Sequence, residues 1–280
     1  MRIGVVVPMT VTPDTGRLPD WTELQAFAQH AESIGVRSLW VFDHFYDLTE
    51  RSPTGPIYEA WTLQSALAAV TSTVELGQLV LCSAFRHPAL LAKMAVTADA
   101  ISGSRLTLGV GAGWYDREYA DLGLPTDHRA SRFAEAVDIV LPLLRGESVT
   151  LQGRFHRVEN ATLVPPPARR IPVLMAGNGP RMMALIARHA DAWNTAWFDA
   201  ADARLTGRIT AMRAALDEAG RSFDSLRWTV GMAAPESDGS AYADAVASFA
   251  DLAVDDLIVS TESASPASLD RLAEAASSWL

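Results

Sequence analysis

The sequence predicts an α/β fold, a closed (β/α)8 barrel, and three observations carry that expectation. Short apolar runs rich in β-branched residues alternate with helix-period segments from end to end, the pattern of βα units on a parallel sheet. Eight such units fit into about 250 residues, which is the arithmetic of a TIM barrel. The one break in the alternation is a hairpin-like insertion ahead of the fifth strand. A doubly wound open sheet is the alternative, but it more often has fewer strands. No internal repeat, low-complexity tract or linker appears, so residues 1–280 read as a single domain.

The elements follow in order. The first strand is Arg2 to Pro8. The helix Trp21 to Ile34 is opened by Asp20 with Glu23 three residues on, a capping-box spacing, and Gly35 stops it. Strand two is Ser38 to Phe42, followed by a long polar loop to Tyr58 and a helix to Val70. Strand three is Val74 to Cys82, and Pro88 suits the first turn of a helix that runs to Ser102. Strand four is Leu106 to Val110; a Gly-rich turn leads to the helical stretches Trp114 to Leu122 and Arg129 to Leu144. The insertion Val149 to Val158 reads as a hairpin turning at Gln152 and Gly153. Beyond the breaker Pro165-Pro166-Pro167, strand five is Pro172 to Ala176, with a helix from Pro180. Strand six is Ala192 to Thr195 with a helix from Ala200 to Ala219, and strand seven is Leu226 to Met232 with a helix from Ala241 to Leu252. Strand eight is Asp256 to Val259, and the last helix runs from Pro266 to Trp279.

Composition narrows the function. Lys and Arg number 23 against 33 Asp and Glu, a net charge of −10, which argues against nucleic acid and against anionic membrane surfaces. Cys82 is the sole cysteine, so no internal disulfide forms and a reducing compartment is expected. No apolar run has the length of a membrane span and no signal-peptide pattern follows Met1, which points to the cytoplasm. Lys93 is the single lysine and falls within a helix, so Schiff-base chemistry has essentially no amine to use. GxSxG and HExxH motifs are absent, and His30, His44, His87, His128, His156 and His189 form no close pair with metal-ligand spacing. Metal is not expected. Cys82 closes an apolar strand and reads as packing.

Chemistry in such a barrel belongs at the C-terminal ends of the strands. Asp43 and His44 follow strand two, and an imidazole beside a carboxylate can act as acid or base near neutral pH. A hydrogen-bonded loop histidine is the plainer reading. After strand four comes Gly109-Val-Gly-Ala-Gly113-Trp114-Tyr115, which is no dinucleotide fingerprint because Trp114 replaces the third glycine. Its glycines, Gly111 among them, would let backbone approach a flat ligand, with Trp114 and Tyr115 as stacking walls; a tight turn with buried aromatics is the alternative. After strand five, Ala176-Gly177-Asn178-Gly179-Pro180-Arg181 runs into a Pro-started helix, whose free N–H groups and dipole suit a phosphate, with Arg181 adding charge. A plain glycine turn is the competing reading.

These segments resemble a known family. Ser38-Leu-Trp-Val-Phe-Asp-His-Phe45, Leu76-Gly-Gln-Leu-Val-Leu-Cys-Ser-Ala-Phe-Arg-His-Pro88, Ile101-Ser-Gly-Ser-Arg-Leu-Thr-Leu-Gly-Val-Gly-Ala-Gly-Trp114 and Ala176-Gly-Asn-Gly-Pro180 resemble motifs of the bacterial luciferase-like family. They keep the family's order and spacing over residues 1 to 200, while the final third matches in rhythm and is shorter. The likeness is greatest to the actinobacterial branch of coenzyme F420-dependent oxidoreductases, and the Arg-rich, Lys-poor composition fits a GC-rich genome. The resemblance implies a luciferase-like TIM barrel holding a deazaflavin, coenzyme F420, or alternatively the flavin FMN. It implies that Asp43 and His44 are the active-site pair, with Asp43 orienting His44 for proton transfer. It places a non-prolyl cis peptide at Leu79–Val80 against the ring, and the phosphate on Gly177, Asn178 and Gly179. In the family's sugar-phosphate dehydrogenases an acidic residue follows the strand-four glycines; Trp114 stands there instead, which argues against a sugar phosphate and for a more apolar pocket. The expected activity is hydride transfer to or from a small organic substrate by a homodimer. Reduced-FMN monooxygenation and flavin binding without turnover are the alternatives. Small and apolar residues on the helices after strands two and three, Ala60, Leu63, Ala66, Ala68, Ala69, Leu91, Met94 and Ala95, suggest the dimer face.

Overall fold

In the computed structural model, which describes residues 1–47, 55–235, 239–261 and 263–280, parallel strands close into a ring. In chain order the elements begin β1 (Arg2–Val6), α1 (Trp21–Ser33), β2 (Ser38–Val41), α2 (Ala60–Val70), β3 (Glu75–Gln78), β4 (Leu81–Cys82), α3 (Pro88–Ile101) and β5 (Leu106–Gly111). They continue α4 (Asp116–Asp121), α5 (Arg129–Leu144), the antiparallel hairpin β6 (Val149–Gln152) and β7 (Arg157–Ala161), β8 (Val173–Ala176) and α6 (Pro180–His189). The chain ends with β9 (Ala192–Trp197), α7 (Ala203–Glu218), β10 (Arg227–Ala233), α8 (Gly239–Asp251), β11 (Asp256–Ser260) and α9 (Pro266–Ala275). The ring runs β3-β2-β1-β11-β10-β9-β8-β5 and closes where β3 pairs with β5; β4 continues the β3 position beside β5. That is the expected eight-position TIM barrel with a hairpin insertion. Among these residues no helix is long and apolar enough to cross a membrane.

Local chemistry explains most boundaries. The Asp20 capping box is present, with the Glu23 N–H donating to Asp20 and the Asp20 N–H donating to Glu23. Helix α7 starts at Ala203, later than expected, because the Asp202 carboxylate caps it by accepting from the Leu205 N–H. The hairpin turns over Gly153 to His156, with the Gly153 N–H donating to the His156 carbonyl, so its second strand extends to Ala161. The loop expected up to Tyr58 falls in part, residues 48–54, outside the described residues.

Strand three corrects the sequence reading. It is not continuous: the ladder breaks between Gln78 and Leu81, where the Leu79–Val80 peptide is cis. The Leu79 N–H still donates to the Val41 carbonyl, so the bend stays attached to β2. Strand β5 approaches closely on the other side. A Cβ on Gly109 would lie 1.7 Å from the Gln78 carbonyl oxygen, and the Gly109 N–H donates to the Gln78 side chain at 3.1 Å. Inside the barrel the indole of Trp40, fully buried, lies over Gly4 and Gly77, where side chains would collide with it. Of the residues suggested for a dimer face, Ala60, Leu63, Ala68, Leu91 and Ala95 are already buried within the subunit.

Gly109→Ala should therefore destabilise the protein, because the new methyl meets backbone that cannot rotate away. The expected cost is about 3 kcal/mol, the upper part of the overpacking range, seen as a fall in Tm of several degrees by circular dichroism. An unchanged Tm would show that β3 and β5 do not approach this closely.

Candidate active site

The C-terminal strand ends surround a cavity of about 380 Å³. Its floor and near wall are Leu79, Val80, Leu81 and Cys82 with Gly111, Ala112 and Gly113. Ala176, Gly177, Asn178 and Met182 form the far wall, and Asn194, Ala196 and Trp197 close one end, with Asp43, His44, Glu118 and Trp114 at the other. Nine residues singled out from the sequence thus meet around one space: Asp43, His44, Leu79, Val80, Gly111, Trp114, Ala176, Gly177 and Asn178.

The Asp43–His44 pair is not arranged as expected, and this is a correction. Asp43 does not orient His44. Its carboxylate is buried and accepts two bonds from Arg86, at 2.6 and 3.0 Å, and one from the Cys82 N–H at 2.9 Å. It therefore ties the chain just past β2 to the end of β4. Burial pushes the Asp43 carboxyl above its ordinary range, and Arg86 and the Cys82 N–H pull against that.

The carboxylate beside the imidazole is Glu118. Its oxygens lie 3.1 and 3.2 Å from His44 Nδ1, and Oε1 also accepts from the Phe45 N–H at 2.6 Å. The Glu118 side chain is 3% exposed and the His44 ring 22% exposed. With Nδ1 taken by the carboxylate, Nε2 is the nitrogen left to act on a ligand. The sequence reading missed Glu118. Its signal is the helix α4 that follows the strand-four glycines, where one turn carries Glu118 back over the strand ends. The carboxylate absent at position 114 thus reaches the same pocket from position 118.

Other sequence candidates separate from the cavity. Arg181 points to α5 and donates to Ser131 Oγ at 2.8 Å. Tyr115 does not line the space; its ring backs Trp114 at 5.5 Å. Trp114 itself is 65% exposed at the mouth, edge-on to His44. Gly179 is the N-cap of α6 and provides no side-chain cap, so the N–H groups of Arg181 and Met182 in the first turn are left for a ligand. Gly177 has φ +155°, and a Cβ there would strike Met182. Cys82 contacts Tyr119 Oη at 3.3 Å, and burial pushes its thiol up, away from the reactive thiolate. Asn194, also missed, lies on the wall with its amide held by Thr229 at 2.9 Å.

Fold and site define a TIM barrel with a cofactor-sized cavity at the strand ends. A family profile described as luciferase-like monooxygenase matches residues 1–277, and the chain belongs to that family. An F420-dependent glucose-6-phosphate dehydrogenase from Nakamurella multipartita is 32% identical over 209 residues, 73% of this chain. The match spans 61% of that relative's length. An uncharacterised protein from Mycobacterium bovis is 30% identical over 73% of this chain and 75% of its own. Among solved structures, an F420-dependent secondary alcohol dehydrogenase in complex with an F420-acetone adduct superposes with a TM-score of 0.83 at 18% identity, covering 98% of this chain and 97% of that one.

The Asp43–Arg86 pair yields a sign that can be measured. In Arg86→Ala the buried carboxylate loses its main counter-charge, a loss of roughly 3–5 kcal/mol at pH 7.5. An acid with a folded pKa above its unfolded value is penalised most when ionised, so lowering the pH towards 4.5 should shrink the deficit. Urea midpoints of both proteins at the two pH values check this; a deficit that grows on acidification would contradict it.

Proposed function

We propose that this chain is an enzyme that moves a hydride between coenzyme F420 and a small organic substrate, with His44 handling the proton. One observation carries the reading: a cavity walled in part by Gly111, Ala112, Gly113, Ala176 and Gly177 also holds a carboxylate-paired imidazole. The names of its relatives support coenzyme F420 as the partner. The residues fit such a group. Gly111 and Ala176 offer almost no side chain, and a Cβ on Gly111 would meet Val80 at 2.8 Å. The uncapped start of α6 offers N–H donors to a phosphate. FMN has a similar flat tricyclic ring and also carries a phosphate, and a titration with both cofactors separates them. A cytoplasmic location belongs to the same reading.

The bound deazaflavin would supply or accept the hydride. This chain's residues would do the rest. Leu79 and Val80 support one face of the cavity and exclude water from it. His44 Nε2 gives a proton to the substrate oxygen in reduction or takes one in oxidation. Glu118 keeps the proton on Nδ1 and balances the positive charge when Nε2 is also protonated. Arg86 keeps Asp43 occupied, so the two carboxylates do different work.

The reading also includes a homodimer through the outer faces of α2 and α3, where Ala69 and Leu90 remain exposed. Light scattering at micromolar concentration should give twice the chain mass of 30.1 kDa. A species of single mass would remove the dimer.

Gly179→Asp should weaken coenzyme F420 binding at least tenfold, about 1.4 kcal/mol. An aspartate at that N-cap both repels phosphate and occupies the N–H donors, while preserving the helix. Fluorescence titration reads it, and unchanged affinity in a protein of normal Tm would place the phosphate elsewhere. His44→Ala and His44→Gln should lower turnover by about 10²–10⁴-fold, because an amide cannot shuttle a proton. Glu118→Gln should fall between these and the parent and change the pH–rate profile. Near-normal turnover in His44→Gln would end the acid–base assignment.

A further inference from the structure

A pocket of about 250 Å³ adjoins the cavity and shares Ala112 and Tyr119 with it. It lies where α3 and α5 begin, beside the hairpin, and its charged lining is Arg86, Arg129 and Arg132 with His87 and His156. We propose that this pocket is an oxyanion site for a free anion of the phosphate class, separate from the N–H donors at the start of α6. The inference does not depend on the hydride-transfer reading.

The charge balance argues the class. Among the described lining residues none is Asp or Glu, so the carboxylates that pair with these cations lie outside the pocket. Arg86 is committed to Asp43 and Glu59. Arg129 and Arg132 are held less firmly: their partners Asp116 and Asp127 are 86% and 58% exposed, and pairs with exposed groups contribute little. Both arginines fall among the first four residues of α5, whose first turn carries no acid, so the helix dipole opposes them. An anion in the pocket would offset the dipole and the guanidinium charge together. Arg129 is fixed by stacking on the Tyr119 ring at 4.1 Å and by donating to the Trp114 carbonyl at 3.0 Å. Its buried Nε has no hydrogen-bond partner among the described residues, a costly state that an accepting oxyanion relieves. His87 Nδ1 accepts from the Ala89 N–H, which puts the proton of the neutral ring on Nε2 as a further donor. Burial holds the His156 imidazole below its ordinary range, and the cations His87 and Arg132 push the same way against Glu135. The planar fork of arginine matches phosphate oxygens. At about 30 Å³ per water molecule, the pocket has room for phosphate and several waters.

Calorimetric titration of inorganic phosphate into the full chain tests this, at low and constant ionic strength so that charges are little screened. In Gly179→Asp, which blocks the donors at α6, phosphate should still bind at one site per chain. Adding Arg132→Gln should weaken that binding at least tenfold, and Arg129→Gln serves as a second variant should the first not fold. Saturating the parent protein with coenzyme F420 should leave phosphate binding in place. No binding to Gly179→Asp, an affinity indifferent to both arginine substitutions, or loss of the site once the coenzyme is bound would overturn the proposal. Failure of the coenzyme to bind would count against the hydride-transfer reading, while the Gly179→Asp titrations would still decide the pocket.

Discussion

The barrel is organised around an ion cluster at its foot. Asp256 of β11 is fully buried and lies 2.6 Å from Arg2 of β1 and 3.0 Å from Arg227 of β10. Glu75 of β3 pairs with both arginines and accepts from the Thr107 hydroxyl of β5. Five strands thus bring a charged or polar side chain to one cluster around the buried Asp256 carboxylate. A buried charge is tolerated only when paired, and a one-residue slip would turn any of these groups outward. The cluster therefore fixes which strands adjoin and in what register.

That register propagates upward by alternation. Two residues on from Arg2 is Gly4 and then Val6, and above Glu75 come Gly77 and Leu79. Val6, Trp40, Leu174, Ala192 and Ile258 pack together as the next layer, with Phe42, Leu79 and Val80 against it. The following inward positions, among them Phe42, Leu79, Gly111, Ala176, Asn194 and Ser260, line the cavity and a second pocket beside it. Within this layer Gly111, Ala176 and Ser260 carry little side chain, which leaves space at the strand ends.

Two buried carboxylates near one cavity have separate fates because of their partners. Arg86, with its guanidinium also bonded to Glu59, neutralises Asp43, which braces the end of β4 through the Cys82 N–H. Among the described residues Glu118 has no such guanidinium partner, and its oxygens meet His44 and the Phe45 N–H. The proton transfer proposed for His44 draws on that division. At the other side of the cavity the start of α6 presents N–H donors that suit an anion.

The strand and helix sequence of the barrel was legible because period-two and helical patterns, capping boxes and glycine stops are local signals. The meeting of Gly111, Ala176, Gly177 and Asn178 at one cavity was legible too, since the C-terminal ends of a barrel's strands gather on one face. The break in strand three was invisible to periodicity, because Leu79 and Val80 are as apolar as their neighbours. Arg86, Glu118 and Arg181 were misjudged or missed for a different reason. A long charged side chain can reach several partners, and sequence distance does not choose among them. His44 and Glu118 are 74 positions apart, yet they meet because α4 folds back over strand two. Composition and pattern determined the architecture and where the site would lie; only packing decided which carboxylate serves the histidine, because that depends on distances between elements that no local rule encodes.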